Sequence, residues 1–388
     1  MYQDFSRSWK RIQAGLSVLL ICQFLIIGLI PARAAASASA DYSFASGAFR
    51  KVWEGPDLPV AQQTTSRSYT WGPEGWAFNT EEYQESPGGR RLVQYFDKTR
   101  MEITNPAAAP GDRYYVTNGL LVKEMVSGLL QLGNTRFSPL EPALVPVAGD
   151  AVNNPGPTYR SFKGIASLDL DNKAPERSGE LVNATLDRDG QVSQDTTLNK
   201  YNVRYSYFSP TLSHNIPAVF YENYMTQQGP VFRDGQPGTG PVFDWLSTMG
   251  YPITEAYWSK VVVAGHTRDV LIQLFERRVL TYTPDNPAAF LVEMGNVGAH
   301  YYAWRYAGGP RVAPWATVNI SNQAGCILTV TLNGQDNLAV EVTANATRSF
   351  KLAPGEYSYR GTACNAPPRE GQTGFDPGSQ NDWKFYFI

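Results

Sequence analysis

Residues 271–302, LIQLFERRVLTYTPDNPAAFLVEMGNVGAHYY, decide the fold because a related stretch occurs earlier in the chain. Residues 93–98 (VQYFDK) match residues 272–277 (IQLFER) in chemical type at every position, and residues 80–83 match residues 254–257 upstream. In both copies an alternating segment, an Asn-Pro pair and a glycine within a second apolar run follow in the same order. This agreement predicts one supersecondary unit used twice, each copy covering an apolar face that the other cannot bury alone.

The composition excludes nucleic acid as a partner and favours a β-rich fold. The 388 residues carry a formal net charge of -2, so there is no surplus of positive charge to attract nucleic acid. Charged residues make up only 18%, whereas the chain has 22 Tyr, 9 Trp, 34 Gly and 27 Pro. This balance is typical of strands and turns with aromatic surfaces rather than of a helical bundle.

The N-terminal segment predicts export. Three basic residues, Arg7, Lys10 and Arg11, precede an apolar run from residue 14 to residue 30, and small-x-small sites follow at residues 32–34 and 36–38. This order is that of a secretory signal peptide, which we assign to residues 1–40. The expected location is therefore secreted, extracellular or in the cell envelope. Membrane contact is expected only if this segment stays uncleaved as an anchor.

The rest of the chain divides into four predicted parts of an α+β protein. Two related α+β repeats with β-hairpins occupy residues 41–150 and 217–310, and a polar insert or linker region lies between them at residues 151–216. We place the first boundary at residues 142–157 because proline, glycine and asparagine cluster there. Short alternating segments then predict a small β-sandwich over residues 311–388. Cys326 and Cys364, an even pair in an exported chain, are expected to form a disulfide.

Several local elements can be predicted from turn and cap residues. Asn118 is a candidate N-cap for a helix over the apolar run from Leu120 to Leu130, with Gly133 as its end. A second helix is predicted from Phe290 to Trp304, where apolar residues recur at steps of four and three, with residues 308–310 ending it. The Asp-Gly pair at residues 189–190 predicts a hairpin turn between two short strands.

Catalytic signatures are mostly missing from the sequence, and no cofactor or metal is expected. We find no nucleophile elbow, zinc-protease motif, phosphate-binding loop or dinucleotide fingerprint. The alternative is a secreted hydrolase of glycosidic or peptide bonds that uses carboxylates or a histidine base. Its candidate residues are His214, Glu255, Glu276 and Glu293, with Glu81, Asp97 and Glu124 as the counterparts in the first repeat.

The aromatic residues of the second repeat are the more useful lead. Five residues could offer flat apolar faces and hydrogen bonds to sugar rings: Tyr257, Trp258, Tyr302, Trp304 and Arg305. The competing interpretation is that such side chains belong to the core or to the interface between the repeats. We therefore predict a non-catalytic protein that binds cell-wall polysaccharide or another envelope component. A structural or adhesion scaffold without a ligand pocket is a further alternative.

Residues 275–287 (FERRVLTYTPDNP) and 292–298 (VEMGNVG) resemble the repeats of a family of uncharacterised secreted bacterial proteins. The resemblance extends from about residue 49 to residue 306, with residues 93–98 and 116–122 as the first copy, and it implies no particular activity. More loosely, Gly250-Tyr251-Pro252 is similar to the Gly-Phe-Pro core of LGFP-type repeats, which accompany cell-wall enzymes and are thought to bind the envelope. Tyr251 stands where that pattern has Phe, and the first copy lacks Gly-x-Pro.

Overall fold

The computed structural model describes residues 44–306 and 316–387, except 335–336, 353–354 and 377–378. With 18% helix and 39% strand, the chain is of the mixed α+β class. The predicted signal segment and the glycine-rich stretch at residues 308–310 lie outside the described residues. Across these described ranges, no helix has the length and apolar character that a membrane crossing requires.

The first sheet is an antiparallel meander that follows a helix, α1 (Gly47–Ala61). Its strands are adjacent in chain order: β1 (Gly75–Glu82), β2 (Arg90–Phe96), β3 (Thr99–Ile103) and β4 (Thr117–Asn118). The helix begins after Ser46, whose hydroxyl accepts a hydrogen bond from the Ala48 N–H. Phe49 and Trp53 of this helix are fully buried against one face of the sheet.

The helix after this sheet, α2 (Leu121–Ser127), is shorter than the sequence predicts. It ends at Gly128, which adopts a left-handed φ of 75°, a conformation that costs glycine little. The following residues form β5 (Leu129–Gln131), which pairs with β6 (Phe137–Pro139). The predicted extension to Leu130 is therefore wrong. Asn118 is also not the N-cap, because it lies in β4 and Leu120 precedes the helix.

Between β6 and residue 257, a stretch that spans the predicted insert and the start of the predicted second repeat, the chain forms three antiparallel hairpins and two short α-helices. In chain order these elements are β7 (Ala184–Leu186), β8 (Val192–Gln194), β9 (Tyr205–Ser209), β10 (His214–Pro217), α3 (Ala218–Phe220), β11 (Gln228–Arg233), β12 (Gln236–Pro241) and α4 (Trp245–Met249). The β7–β8 hairpin forms around the Asp-Gly pair, as predicted from the sequence.

The second sheet has six strands and contains a second meander. Its strands are β13 (Tyr257–Val263), β14 (His266–Leu274), β15 (Val279–Tyr282) and β16 (Val292–Met294), followed by α5 (Val297–Arg305). The β7–β8 hairpin extends the sheet beyond β13. The predicted helix start at Phe290 is wrong, because Met294 pairs with Leu280 in the sheet and the helix begins only at Val297.

The predicted insert is part of this assembly rather than a separate linker. Besides the two strands, β7 and β8, that it adds to the second sheet, its Tyr159 and Phe162 are fully buried in the central core. Val147, within the predicted boundary, is fully buried in the same core. Proline and glycine in residues 142–157 therefore shape a packed connection between the two meanders.

The central core lies between the two meanders and takes side chains from α2 and α5, the helices that follow them. Successive side chains of β2 and β14 point to opposite faces of their sheets, and most of those in the second half of each strand are buried because both faces are covered. The inward side chains include Val93 and Tyr95 from β2, Ile272 and Leu274 from β14, Val122 and Met125 from α2, and Val297 and Tyr301 from α5. Each meander therefore buries its inner face against elements of the other.

The two meanders have the same register when Phe96 is aligned with Phe275. Equivalent pairs are Gln94 with Met101 and Gln273 with Leu280, then Met101 with Asn118 and Leu280 with Met294. The upstream match inferred from the sequence is shifted. Thr80 pairs with Leu92, and the residue that pairs with the equivalent Leu271 is Trp258 rather than Thr254.

The helices that follow the two meanders, α2 and α5, each donate a hydrogen bond to the hairpin turn of the other meander. The N–H of Lys123, the third residue of α2, donates to the carbonyl oxygen of Glu276 at 3.2 Å. The N–H of Ala299, the third residue of α5, donates to the carbonyl oxygen of Asp97 at 3.1 Å. Asp97 and Glu276 hold the same position in their hairpins, so the two contacts are reciprocal.

A second reciprocal pair involves side chains of the same hairpins. Lys98 donates from Nζ to the carbonyl oxygen of Met294 at 2.6 Å, and Arg277 donates from Nε to that of Asn118 at 3.1 Å. Met294 and Asn118 are the last residues of the fourth strand in their meanders. These two side-chain contacts are therefore reciprocal as well.

The C-terminal part consists of strands only in its described residues. They are β17 (Ala316–Asn322), β18 (Leu328–Asn333), β19 (Asn337–Val342), β20 (Thr347–Leu352), β21 (Gly355–Ala363), β22 (Arg369–Phe375) and β23 (Gln380–Phe385). They form a three-stranded sheet, β20-β17-β23, and a four-stranded sheet, β19-β18-β21-β22. One hydrophobic cluster takes side chains from both sheets. The predicted disulfide joins Cys326 and Cys364, with Cα atoms 5.7 Å apart.

Candidate functional site

Two of the aromatic side chains expected at a binding surface are buried. Tyr257 is 8% exposed and Trp258 is 1% exposed, because β13 lies inside the sheet and both of its faces are covered. Trp258 stacks on Tyr201 at 4.9 Å between ring centroids, and its Nε1 donates to the carbonyl oxygen of Val182 at 2.8 Å. The expectation that Tyr257 and Trp258 offer open faces to a ligand is therefore wrong.

The other three expected residues, Tyr302, Trp304 and Arg305, lie together on α5. This helix packs against β2 and β3 of the first sheet, where Tyr301 is fully buried. Trp304 donates from Nε1 to the carbonyl oxygen of Glu141 at 2.8 Å. Arg305 points inward and is nearly buried, with a side chain 8% exposed. Of this group, Tyr302 and Trp304 remain partly exposed.

Tyr302 belongs to a cluster that we call the aromatic patch, formed by Trp76, Tyr302 and Tyr306. The Tyr302 ring lies 5.0 Å from that of Trp76 and 4.7 Å from that of Tyr306, and all three side chains are partly exposed. Tyr95 lies beneath them, edge-on to Tyr302 at 5.0 Å. The patch thus joins β1 of the first meander to α5 of the second.

Trp76 is placed in the patch by a β-bulge that sequence reasoning did not find. The pairing of β1 with β2 shifts between Gly75 and Ala77, so that Trp76 has no partner of its own in the register. A bulge re-aims the side chain of its extra residue. Trp76 accordingly packs on the same core as its neighbour Ala77, although strict alternation would place the two on opposite faces.

Two polar atoms of the patch lack hydrogen-bond partners among the described residues. They are the indole Nε1 of Trp76 and the hydroxyl of Tyr302. Both atoms are themselves covered, and a buried donor without a partner costs roughly 1 to 3 kcal/mol, so a small rearrangement that gives either atom a partner would be favourable. The patch therefore combines apolar ring faces with two unused hydrogen-bonding groups.

A buried network of charges lies under the patch and fixes α5 to the first sheet. Its members are three carboxylates and three guanidinium groups: Glu81, Glu102, Glu124, Arg91, Arg100 and Arg305. Arg100, which is fully buried, is at the centre. Its Nη1 lies 3.0 Å from Glu81 and its Nη2 lies 2.6 Å from Glu102 and 3.5 Å from Glu124. Equal numbers of opposite charges explain why the network can be buried.

Glu81 connects this network directly to the patch. Its carboxylate accepts hydrogen bonds from the hydroxyls of Tyr95 at 2.6 Å and Tyr306 at 2.7 Å. Burial by itself raises the pKa of Glu81, but the charges of Arg100 and Arg305 and these two hydroxyls outweigh burial and lower the pKa to about 2. Glu81 therefore stays ionised and holds Tyr306 in position.

The lowered pKa predicts that Glu81 contributes to acid unfolding. Because its ordinary pKa is 4.5, its stabilisation is complete above that pH and is lost as the pH falls towards 2. The loss should amount to about 3 kcal/mol. Burial raises the pKa of Asp57 to about 6, so Asp57 has the opposite effect on the free energy of unfolding. Its contribution to stability grows as the pH falls from 6 to 3.8.

The difference in the free energy of unfolding between wild type and Glu81→Gln, followed against pH, isolates the contribution of the Glu81 carboxylate. Chemical unfolding at pH 5, 4, 3 and 2 should show that the variant, although less stable at neutral pH, loses about 3 kcal/mol less on acidification. Parallel stability profiles of the two proteins would contradict the assignment.

The candidate catalytic residues fall into separate places. Glu81 and Glu124 belong to the buried network. Glu276 accepts a hydrogen bond from the Tyr251 N–H at 3.0 Å, and its carboxylate lies 3.7 Å from Arg277. His214 and Glu255 are brought together, with Nδ1 and Oε1 3.2 Å apart. Within the described ranges, no group of three or more His, Cys, Asp or Glu side chains is placed to hold a metal ion.

Two of the concave surfaces among the described residues lie well away from the patch. One is a cavity of about 660 Å³ lined by α1, α4 and the β11–β12 hairpin, with ion pairs between Lys51 and Asp234 and between Arg113 and Asp244 at its walls. The other, of about 490 Å³, lies on the C-terminal strands, where Trp383 and the exposed Tyr386 line it.

Comparison with known proteins adds one finding on the C-terminal part. A family described as a domain of unknown function (DUF6759) matches residues 312–372. No curated protein matches the chain.

Proposed function

We propose that this is an exported protein of the cell envelope that binds a glycan or cell-wall polymer through the aromatic patch. The observation that carries the proposal is the set of three partly exposed rings, Trp76, Tyr302 and Tyr306, with two unused hydrogen-bonding groups among them. Amphipathic rings suit ligands that present apolar faces and hydroxyl groups together, as sugar rings do.

Export is supported by the sequence and by the disulfide. The segment before residue 41 has the order of a signal peptide, and the Cys326–Cys364 bond fits an oxidising compartment outside the cytoplasm. The formal net charge of -2 fits an uncharged polymer better than a polyanion.

We further infer that the two meanders arose by duplication. The matched registers around Phe96 and Phe275 and the reciprocal contacts of Lys123 with Glu276 and of Ala299 with Asp97 support this inference. Reciprocal contacts of this kind are the mark of a two-fold interface between like units. The patch spans that interface, because it takes Trp76 from one unit and Tyr302 from the other.

The C-terminal strands are proposed to form a small β-sandwich. Two sheets that share one hydrophobic cluster support this architecture. Its aromatic surface around Trp383 is the second place where a polymer could bind.

The test is sedimentation of the mature protein with purified cell walls. Replacing both Trp76 and Tyr302 by alanine should weaken binding about tenfold or more, because each ring contributes roughly 0.5 to 1.5 kcal/mol beyond its buried area. Tyr114→Ala is the matched control, since Tyr114 is 66% exposed and lies outside the patch. Thermal melting of each variant checks that the fold is intact.

The outcomes separate the alternatives. Binding that survives the double substitution but is lost in Trp383→Ala would move the site to the C-terminal strands. Failure of the wild-type protein to sediment with cell walls would contradict a polymer-binding function and favour a structural scaffold.

A further inference from the structure

Three side chains outside the patch are spaced as a nucleophile, a base and an orienting carboxylate are. The Ser167 Oγ lies 2.8 Å from the Nε2 of His214, and the Nδ1 of His214 lies 3.2 Å from the Oε1 of Glu255. Ser167 and His214 are each 1% exposed and Glu255 is 9% exposed. Ser167 was not a candidate in the sequence, because no motif surrounds it.

The histidine and the carboxylate are held from several directions. Glu255 accepts hydrogen bonds from the backbone N–H of Asn215 at 2.8 Å and from the side-chain amide of Asn215 at 3.2 and 3.3 Å. The side chain of Gln273 donates to the carbonyl oxygens of Asn215 and Thr254, both at 2.9 Å. These contacts fix the carboxylate on the Nδ1 side of His214, as an orienting group requires.

The segment after Ser167 occupies the positions that a substrate would take. The Ser167 hydroxyl donates its hydrogen to the carbonyl oxygen of Asp171, so in this arrangement its oxygen accepts from the Nε2 of His214 rather than donating to it. The N–H groups of Leu168 and Asp169 donate to the Asp171 carboxylate at 3.0 and 3.2 Å. The N–H that follows a nucleophilic serine is a usual donor to the oxyanion of acyl transfer. A carboxylate from the chain itself fills this place.

The same segment is exposed and carries backbone strain. Leu170 has a φ of 64° and is 60% exposed, and Asn172 has a φ of 49°. A positive φ is unfavourable for leucine, and strain of this kind is found at functional sites that change conformation. Ser167 therefore lies directly under a strained surface segment, residues 168–172, and is not deep in the core.

We propose that Ser167, His214 and Glu255 form an acyl-transfer centre for carboxylic esters and that residues 168–172 hold it closed. This inference does not depend on polymer binding at the aromatic patch. Displacement of the Asp171 carbonyl oxygen, together with loss of the proton from the Nε2 of His214 to solvent, frees the Ser167 hydroxyl to donate to that nitrogen. Displacement of the Asp171 carboxylate frees the N–H groups of Leu168 and Asp169 for an oxyanion.

The reaction then follows from the positions of these groups. The Ser167 Oγ bonds to the acyl carbon, its proton passes to the Nε2 of His214, and the carbonyl electron pair moves to the oxygen. Collapse of this intermediate breaks the ester bond, and the leaving alkoxide takes the proton from His214. Water attacks the acyl-serine in the same manner, and the products are a carboxylic acid and an alcohol. Glu255 stabilises the charged imidazole throughout.

The same contacts could be a purely structural clamp, and reactivity distinguishes the two roles. A fluorophosphonate probe forms a bond with an activated serine and releases fluoride, and peptide mass spectrometry identifies the labelled residue. The full mature protein with Asp171→Ala should be labelled at Ser167 about tenfold faster than wild type. It should also hydrolyse p-nitrophenyl acetate faster. A clamp would give no label in either protein.

Further variants test the mechanism of closure. Leu170→Gly removes the strain of the positive φ and favours the closed form, so labelling should fall about fivefold. In the Asp171→Ala background, Ser167→Ala should abolish labelling and His214→Gln should lower it at least tenfold. Ser178→Ala, at an exposed serine elsewhere, should have no effect.

Two results would overturn the proposal. One is the absence of label at Ser167 in wild type, Asp171→Ala and Leu170→Gly when all three melt cooperatively. The other is labelling of Ser167 at a rate that does not change in His214→Gln. If Asp171→Ala fails to fold, the comparison of Leu170→Gly with wild type gives the same decision. Loss of cell-wall binding in the patch variants would leave these rates unchanged, so the two proposals fail separately.

Discussion

Replacing Arg100 by methionine is expected to lower the free energy of unfolding by about 3 to 5 kcal/mol. Arg100 is fully buried and contacts the carboxylates of Glu81, Glu102 and Glu124. Methionine fills much of the same volume but carries no charge. Three buried carboxylates would then share only Arg91 and Arg305, and the cost is that of charge left without a partner rather than of lost packing.

Chemical denaturation of the two proteins at neutral pH measures this difference. Arg113→Met is the matched control, because Arg113 also pairs with a carboxylate, that of Asp244, but its side chain is 64% exposed. An exposed ion pair contributes about 1 kcal/mol or less, so the control should be close to wild type. Equal losses in the two variants would contradict the view that burial decides the effect.

Under the proposed function, the variant should also weaken binding of the polymer. Arg100 holds Glu81, and Glu81 accepts the hydrogen bond of Tyr306 in the aromatic patch. Glu81 would keep Arg305, but its neighbours would repel it more strongly. Under conditions where Arg100→Met remains folded, we expect cell-wall binding to fall while the Arg113→Met control binds normally.

Gly298→Ala is expected to destabilise the protein by about 3 kcal/mol or more, although alanine favours helices over glycine by roughly 1 kcal/mol. A Cβ on Gly298 would lie 2.0 Å from the carbonyl oxygen of Phe96 and 2.5 Å from that of Thr99. Both obstacles are main-chain atoms of the first hairpin, so they cannot rotate away as a side chain could. The added methyl group therefore has to move α5 off the first sheet.

Thermal and chemical unfolding of Gly298→Ala measure the cost. The matched control is Gly111→Ala, because a Cβ at Gly111 meets no atom within 4 Å. That control should unfold at the same temperature and denaturant concentration as wild type or at slightly higher ones, since alanine restricts the unfolded chain. A stable Gly298→Ala protein would show that α5 does not need its close approach to the β2–β3 hairpin.

Both predictions depend on the exchange of contacts between the two meanders. α5 follows the second meander in the chain but packs against the first; it carries Tyr302, and Tyr306 directly follows its last residue. The first meander supplies Trp76 and Glu81. Damage to the contact between them should therefore affect stability and the aromatic patch together.

Elements with strong local signals could be predicted from the sequence. The Asp-Gly pair gives a hairpin because its residues adopt the turn conformation that antiparallel strands need. The alternating segments near the C-terminus are strands, and the even pair of cysteines is bonded. These features depend on a few neighbouring residues, so they can be predicted without knowledge of the fold.

The helices after each meander were less predictable. Apolar spacing predicted a helix from Phe290, but Met294 is part of β16 and pairs with Leu280. Hydrogen bonds to a distant strand override local periodicity, and periodicity does not reveal them. The helix predicted to end at Gly133 ends at the earlier Gly128 for the same reason, because β5 leaves it to pair with β6.

The sites depended most on the tertiary structure. Whether an aromatic residue is covered cannot be read from its type: Trp258 lies within a six-stranded sheet, whereas a bulge brings Trp76 to the patch. His214 and Glu255 were both candidates, but only folding places Ser167 beside them, from a segment without a motif.

The sequence by itself determined the α+β class, the cysteine pair and the matched stretches at residues 93–98 and 272–277, because these follow from composition and from spacing along the chain. Only the tertiary structure decided that α5 packs on the first sheet and which aromatic side chains remain accessible. Burial and hydrogen bonding at those positions depend on residues more than a hundred positions away, and no local pattern records which of them meet.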